Sequence, residues 1–281
     1  RPEFYGSRAR LLLIRAVFGL PWFSTHEQQL KAFEQGTQHA MVIGDQTDSS
    51  YGMILCCDIS FYMGLPLPLV KEKLERCAKI VSALEKSKSL IHIAHTMLSI
   101  CQVLQTETKE QQVVKLINQH FDLIKTLKAS NENSYAGLLS IWNVILCYFT
   151  EQHQYAERFA REVPFLSTAA MIDCSYLLMF RSLSACRMYD KQPWYRKIGI
   201  RSRLWIRTLR MRYWAKYNPT NFSQKYHLLV AEHNRILKKY RKAEKHYLKA
   251  IDASLVAGYQ HETAVIYTCL ANMYKDSHKM L

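Results

Sequence analysis

The chain of 281 residues is 49% hydrophobic and 22% charged, a composition typical of a folded protein rather than a disordered one. Its 9 glycines and 7 prolines are too few for the many turns of an all-β or α/β protein, and they argue against glycine-rich phosphate-binding loops. The net charge of +15 is concentrated in residues 191–281, which hold 19 Lys and Arg against 5 acidic residues. A partner of this last third should therefore be acidic.

Apolar residues recur at helical spacing along the whole chain and predict about thirteen helices. The first predicted helix covers residues 8–19 and is stopped by Pro21. Thr25 with Gln28 resembles a capping box that opens the second helix, which runs to the break at Gly44-Asp45.

A third predicted helix, residues 48–63, is closed by Gly64. Short links between helices force antiparallel neighbours, so we predict an all-α fold, an α-solenoid built as a right-handed stack of antiparallel helical hairpins. The remaining predicted helices are 69–86, 89–105, 109–128, 133–151, 154–162, 168–189, 195–217, 221–239, 241–257 and 261–275.

The most apolar segment is Leu138–Phe149, which Ser140 and Asn143 interrupt. It is shorter than the ~20 residues that a membrane-spanning helix needs, so we predict a buried helix with no membrane span.

One internal repeat is visible near the end of the sequence. Small or aromatic residues stand at the spacing that tetratricopeptide repeats use where paired helices cross closely. These residues are Ala231, Ala243, Tyr247 and Ala250, and Ala264 with Ala271 suggests the first helix of a following repeat.

The polar residues do not form a recognisable reaction centre. His92 and His95 share a helix face without a nearby acid or thiol, and Cys56-Cys57 point apart on a helix, so we expect neither a metal site nor a nucleophile. No Walker A or GxGxxG loop is present, and we expect no cofactor.

The eight cysteines stand in apolar stretches without a CxxC pair, which indicates buried, reduced thiols in a cytoplasmic protein.

Three aspartates could be imagined as paired acids. Asp45 and Asp48 stand at a predicted helix start, where carboxylates cap free N–H groups, and we interpret them as caps. The position of Asp58 relative to solvent is left open by the sequence.

The most unusual segment is Trp194–Tyr217, which carries eight Lys and Arg, no acid, and interleaved aromatics. Arg196, Arg203, Arg207 and Arg210 share one helix face, and an apolar stripe of Ile198, Trp205 and Leu209 lies beside them. Three interpretations compete: the solvated basic face of a packed helix, docking onto an acidic protein, and binding of nucleic acid or anionic lipid. The candidate protein-interaction residues are Arg203, Arg207, Arg210, Lys238, Lys239 and Arg241, of which the last three belong to a second basic cluster at a helix–helix corner.

Three stretches resemble the helical region of large signalling proteins that join a serine/threonine-kinase-like domain, an AAA-type ATPase, a helical repeat region, a GAF domain and a sensor histidine kinase. They are Ala40–Asp45 with Tyr51 and Phe61–Leu67, then Trp214–Phe222, and finally Leu228–Glu232 with Ala243, Tyr247, Ala250-Ile251 and Ala257–Tyr259.

The resemblance implies a non-catalytic segment that couples an ATPase module to a histidine-kinase output, with the catalytic domains outside this chain. Its partners would be neighbouring domains of the same polypeptide or an acidic protein or peptide. Alternatives are the repeat sensor of another ATPase-type regulator, such as a transcription activator, and a basic nucleic-acid-binding module.

We divide the chain into a degenerate hairpin array, residues 1–190, and a continuous basic part with closing repeats similar to tetratricopeptide repeats (TPR-like), residues 191–281. Both ends suggest a fragment of a longer protein.

Overall fold

A computed structural model describes residues 2–83, 88–163 and 172–278, and the regular structure in these ranges is entirely helical. Among these residues thirteen α-helices follow one another: α1 (Pro2–Ile14), α2 (His26–Val42), α3 (Gln46–Tyr62), α4 (Leu67–Ala83), α5 (Lys88–Gln105), α6 (Glu110–Ala129), α7 (Asn133–Phe149), α8 (His153–Glu162), α9 (Asp173–Arg187), α10 (Trp194–Tyr217), α11 (Pro219–Ile236), α12 (Tyr240–Ala257) and α13 (Gln260–His278).

The all-helical prediction is confirmed, and the predicted helices agree with the observed ones except at their ends. The largest difference is at the start, where α1 begins at Pro2 and continues into a π-helical segment, Arg15–Gly19, and a 3₁₀ turn, Leu20–Trp22. Pro21 lies inside this tight turn because its fixed φ and missing N–H suit the start of a helical turn. The predictions for residues 84–86 and 168–171 lie outside the described residues.

The predicted capping box at the start of α2 and the Asp45 cap at the start of α3 are confirmed. Asp48, which was also interpreted as a cap, instead lies in the first turn of α3 and accepts a hydrogen bond from Nε of Arg10 at 3.0 Å. Thr25 accepts a hydrogen bond from the Gln28 backbone N–H at 3.3 Å, and the Gln28 side chain accepts one from the Thr25 N–H at 3.2 Å. Asp45 accepts from the N–H groups of Thr47 and Asp48 at 3.1 and 3.0 Å. The preceding Gly44 has φ of 73°, a left-handed conformation that favours glycine, so the break and the cap form one turn.

Two compact units make up the chain, residues 1–174 and 175–281. The core of the first, called unit 1, is built around α7, in which every residue from Ala136 to Tyr148 is buried. The prediction of a buried helix at Leu138–Phe149 is therefore confirmed, although Phe149 itself is 46% exposed. Ser140 and Asn143 are accommodated there because each donates a hydrogen bond to a backbone carbonyl one turn earlier.

Close packing of α1, α2 and α3 depends on two glycines. A Cβ atom on Gly36 would lie 2.9 Å from Cδ2 of Leu13, and one on Gly52 would clash with the Thr37 hydroxyl. These positions let the three helices approach without a gap, because a larger residue would have to displace a packed neighbour.

The second unit, called unit 2, contains α10 to α13 and α9 from Ser175 onward. The four repeat-like residues Ala231, Ala243, Tyr247 and Ala250 are fully buried where α11 packs on α12. By contrast, Ala264 and Ala271, which suggested a following repeat, lie on the exposed side of α13. Helix α13 packs on α12 through larger residues, including Val265, Ile266, Cys269 and Met273.

Candidate interaction surface

Helix α10 follows Pro193, whose φ of −64° and extended ψ lead the chain into the first helical turn. It ends at Asn218, whose side chain accepts a hydrogen bond from the Asn221 N–H at 3.3 Å and so caps the start of α11. The same residue therefore ends one helix and begins the next.

One side of α10 faces the core of unit 2. Leu204, Thr208, Met211 and Trp214 are buried there, and the Trp214 ring lies 5.7 Å from that of Phe222 on α11. The buried side was not evident from the sequence, because apolar residues occur on two sides of this helix.

Arg207 lies on the buried side as well. Its guanidinium donates a hydrogen bond to the Ser182 hydroxyl of α9 at 3.5 Å. Of the predicted contact residues on α10, Arg203 is therefore exposed, Arg210 is half-buried, and Arg207 lies inside the unit. Sequence spacing placed Arg207 on the same face as the others, but its position at the edge of that face is covered by α9.

The opposite side of α10 is an exposed apolar and aromatic surface. It includes the predicted stripe of Ile198, Trp205 and Leu209, which are 47%, 53% and 40% exposed. The aromatic stripe, as we call this surface, consists of Tyr195, Ile198, Trp205, Ile206, Leu209, Tyr213 and Tyr217.

Cations follow the aromatic stripe on both of its edges. At 100° per residue, Arg203 and Arg210 follow one edge, and Arg201 and Arg212 follow the other. No acidic residue occurs anywhere in α10. The surface is thus mainly apolar in the middle, where Lys216 is an exception near its end, and positive along its sides.

The second predicted cluster, Lys238, Lys239 and Arg241, is exposed at the turn between α11 and α12, and we call it the corner cluster. Lys238 has φ of 59°, and the N–H groups of Lys238 and Lys239 donate to the carbonyls of Arg235 and Asn234 at 2.8 and 2.9 Å. These bonds fix the backbone of the turn and hold the cationic side chains outward.

The corner cluster lies near the amino-terminal half of α10. Burial lowers the pKa of His233, and the charges of Lys239 and Arg201 lower it further. Both cations therefore act on the same imidazole, and the positive fields of α10 and the corner cluster join.

Unit 2 also contains a buried ionic network that the sequence analysis missed. Lys225 is fully buried and donates to Glu262 at 2.5 Å and to the Asn221 carbonyl at 2.9 Å. Its ammonium lies 4.3 Å from the centre of the Tyr176 ring, and burial lowers the pKa of Lys225 although Glu262 opposes the change. The sequence around Lys225 gives no sign that it is buried, because its partners Tyr176, Asn221 and Glu262 belong to three different helices, α9, α11 and α13.

A serine, a histidine and an asparagine line up in unit 1. The Asn143 amide donates to Leu139, so its oxygen faces Nδ1 of His120 at 2.8 Å, and Nε2 of His120 lies 3.2 Å from the Ser99 hydroxyl. This order resembles that of a nucleophile, base and orienting amide. However, the Ser99 hydroxyl also donates a hydrogen bond to the Thr96 carbonyl at 2.8 Å. Ser99 lies within α5, where the backbone N–H groups bond carbonyls of the same helix and therefore cannot hold an oxyanion.

Among the described residues, no three His, Cys, Asp or Glu side chains come together as metal ligands, and His92 and His95 are exposed on α5. None of the described helices is long and apolar enough to cross a membrane. None of the eight cysteines, all of which belong to the described residues, forms a disulfide, and seven of them are buried, as the sequence predicted; Cys56 is half-buried.

In a comparison with known proteins, no family model and no curated protein matches the chain.

Proposed function

We propose that this chain is a non-catalytic helical-repeat segment of a large signal-transduction protein, which couples an ATPase module to a histidine-kinase output by binding acidic elements of neighbouring domains. The resemblance of the three sequence stretches to such proteins supports this proposal. The all-helical fold and the basic surplus of unit 2 are compatible with it.

A TPR-like arrangement belongs to the same proposal. The buried alanines and Tyr247 between α11 and α12 support it, because small residues at these positions let paired helices approach closely. A stack of such pairs transmits displacement, since each helix contacts its neighbours over most of its length and the packed core does not deform continuously.

The observation that carries the proposal is the corner cluster. Three exposed cations stand on a turn whose backbone is fixed by hydrogen bonds, beside the positive edge of α10. Such a surface selects an acidic partner by charge complementarity and places it at a defined point on the helical stack.

The experiment is a pull-down between this chain and the ATPase and kinase modules encoded by the same gene. We expect the triple variant Lys238→Glu, Lys239→Glu and Arg241→Glu to lose at least one of these partners, because the complementary field is reversed there. The matched control reverses three exposed lysines of unit 1, Lys79, Lys88 and Lys115, and should bind like the wild type. Equal binding by both variants would contradict the proposal.

A further inference from the structure

We propose that the aromatic stripe of α10 is a peripheral membrane contact that binds a surface of anionic phospholipid. This function goes beyond the proposed coupling role, since it uses the apolar side of α10 rather than the corner cluster.

The stripe is long and has two parts. Tyr195 and Ile198 are three residues apart, and the residues from Trp205 to Tyr217 recur at spacings of three and four, while the exposed Ser202 stands between the two parts. Together they follow a 24-residue helix, a length of about 36 Å at 1.5 Å per residue. Trp194, at the start of the same helix, is 75% exposed. Soluble proteins rarely expose contiguous apolar patches larger than a few hundred Å², and larger ones mark contact surfaces.

The chemistry of the stripe matches the membrane interface. Tryptophan and tyrosine combine an apolar ring with a polar group, and such side chains concentrate at the level of lipid headgroups. Trp205, Tyr213 and Tyr217 are each exposed by half or more. Aliphatic residues between them, Ile198, Ile206 and Leu209, would reach the boundary of the acyl chains.

The charges specify which lipid is bound. Cations line both edges of the stripe, and their long side chains can keep the charge at the headgroups while the stem covers apolar surface. A field of one sign along the whole helix fits a uniformly anionic surface, and clustered Lys and Arg on an amphipathic helix are typical of binding to anionic lipids.

Other occupants fit less well. Two copies of the chain meeting through this face would bring the cations at the edges of the stripe, such as Arg203 and Arg212, close to the same cations of the other copy. The neighbouring helices α9 and α11 contact the buried side of α10 through Arg207 and Trp214, so hairpin stacking leaves the stripe free. One exposed helix face matches a flat surface directly, whereas a protein partner would have to supply a groove lined with acids along its full length.

The test is flotation of the full chain with vesicles of phosphatidylcholine, with or without phosphatidylserine. We expect binding only to the vesicles that contain phosphatidylserine. The stripe variant Trp205→Ser with Tyr213→Ser keeps every charge and should bind roughly tenfold more weakly or not at all. The edge variant Arg203→Gln with Arg212→Gln keeps the stripe and should also lose roughly tenfold.

Two matched controls separate this surface from general stickiness. Leu255→Ser with Val256→Ser removes exposed apolar side chains of α12, and Lys79→Gln with Lys115→Gln removes two exposed cations of unit 1. Both should bind vesicles like the wild type. All substituted residues are exposed, so far-UV circular dichroism should show unchanged helix content in every variant.

A second measurement needs no disruptive variant. Brominated acyl chains in the vesicles should quench the tryptophan fluorescence of the wild type, and Trp205→Phe should show a smaller quenched fraction.

Absence of binding to the phosphatidylserine vesicles would overturn the proposal, as would undiminished binding by the stripe variant. Capture of an acidic helical peptide or of RNA by the stripe, without affinity for vesicles, would assign the surface to that partner instead. The corner-cluster variant keeps the stripe and its edge cations. Because the positive fields of α10 and the corner cluster join, it should bind the phosphatidylserine vesicles more weakly than the wild type but more strongly than the stripe variant, so failure of the proposed coupling function and failure of the lipid contact can be told apart.

Discussion

Asp58 occupies one of the most unusual environments in unit 1. Its carboxyl is fully buried and accepts a hydrogen bond from the Trp142 indole at 2.7 Å, while neighbouring Asp173 accepts one from the Tyr62 hydroxyl at 2.8 Å. Burial, followed by the charge of Asp173, raises the pKa of Asp58 well above its ordinary value. Like charges in a dry site cannot both ionise at low cost, so the pair holds a proton that the unfolded chain would release.

This proton makes the stability of the protein depend on pH. Above about pH 4, where an ordinary carboxyl is ionised, unfolding releases the proton of Asp58, so raising the pH lowers the free energy of unfolding until the raised pKa is passed. The isosteric Asp58→Asn variant keeps the bond from Trp142 but cannot titrate. We expect its free energy of unfolding, measured with urea across this pH range, to fall less steeply with pH than that of the wild type. Over the whole range the loss should be smaller by about 1.4 kcal/mol for each unit of pKa shift that the substitution removes. Parallel pH profiles for the two proteins would refute the shared proton.

Sequence reasoning succeeded for residues whose roles are local. Thr25, Gln28 and Asp45 could be assigned as caps because their partners lie within three residues. Asp58 could not be assigned, since its partners are 84 and 115 residues away in the chain. Lys225, whose partner Glu262 is 37 residues away, escaped notice for the same reason.

At the scale of the element, α10 shows the limit of periodicity. Apolar residues occur on two sides of this helix, and the spacing alone does not say which side is buried. The side of α10 that carries Leu204 and Met211 packs against the rest of unit 2. As a result Arg207 is buried, and Trp205 is exposed on the opposite side. The bounds of the helix, in contrast, follow from Pro193 and from the Asn218-Pro219 pair that ends it.

The start of α3 provides a test at this scale. Asp45→Ala removes the acceptor for two backbone N–H groups and should lower the free energy of unfolding by about 1 kcal/mol. Asp45→Asn retains an acceptor of similar shape and should cost only a fraction of that. Chemical denaturation at constant pH distinguishes the two, and an equal loss in both variants would mean that the charge, rather than the cap, stabilises this end of the helix.

At the scale of the whole molecule, the two units have separate cores. Unit 1 is organised around the buried α7, and unit 2 around the contact of α11 with α12. The chain divides at residues 174 and 175, before the change in charge composition at 190 and 191. The hydrogen bonds from Arg207 to Ser182 and from Arg235 to the Cys186 carbonyl tie most of α9 to unit 2. Charge composition therefore follows surface residues and does not mark the division of the core.

Separate cores predict separate local stability. Ile145→Ala in unit 1 and Leu229→Ala in unit 2 each remove a fully buried side chain and should each cost about 2–5 kcal/mol. In hydrogen exchange followed by mass spectrometry, we expect the first variant to lose protection mainly within residues 1–174 and the second mainly within 175–281. Loss of protection across the whole chain in both variants would show that the units unfold together.

The sequence by itself determined the helical class and, for the described residues, the number of helices and most of their ends, because these depend on hydrophobic spacing and on caps that act over a few residues. It also located the basic end of the chain and the two cationic segments. Only the tertiary structure decided which side of α10 is exposed, that Arg207 and Lys225 are buried, and that Asp58 lies beside Asp173. These outcomes depend on contacts between helices far apart in the chain, and burial changes the energy of a charged or aromatic side chain far more than its sequence neighbours do.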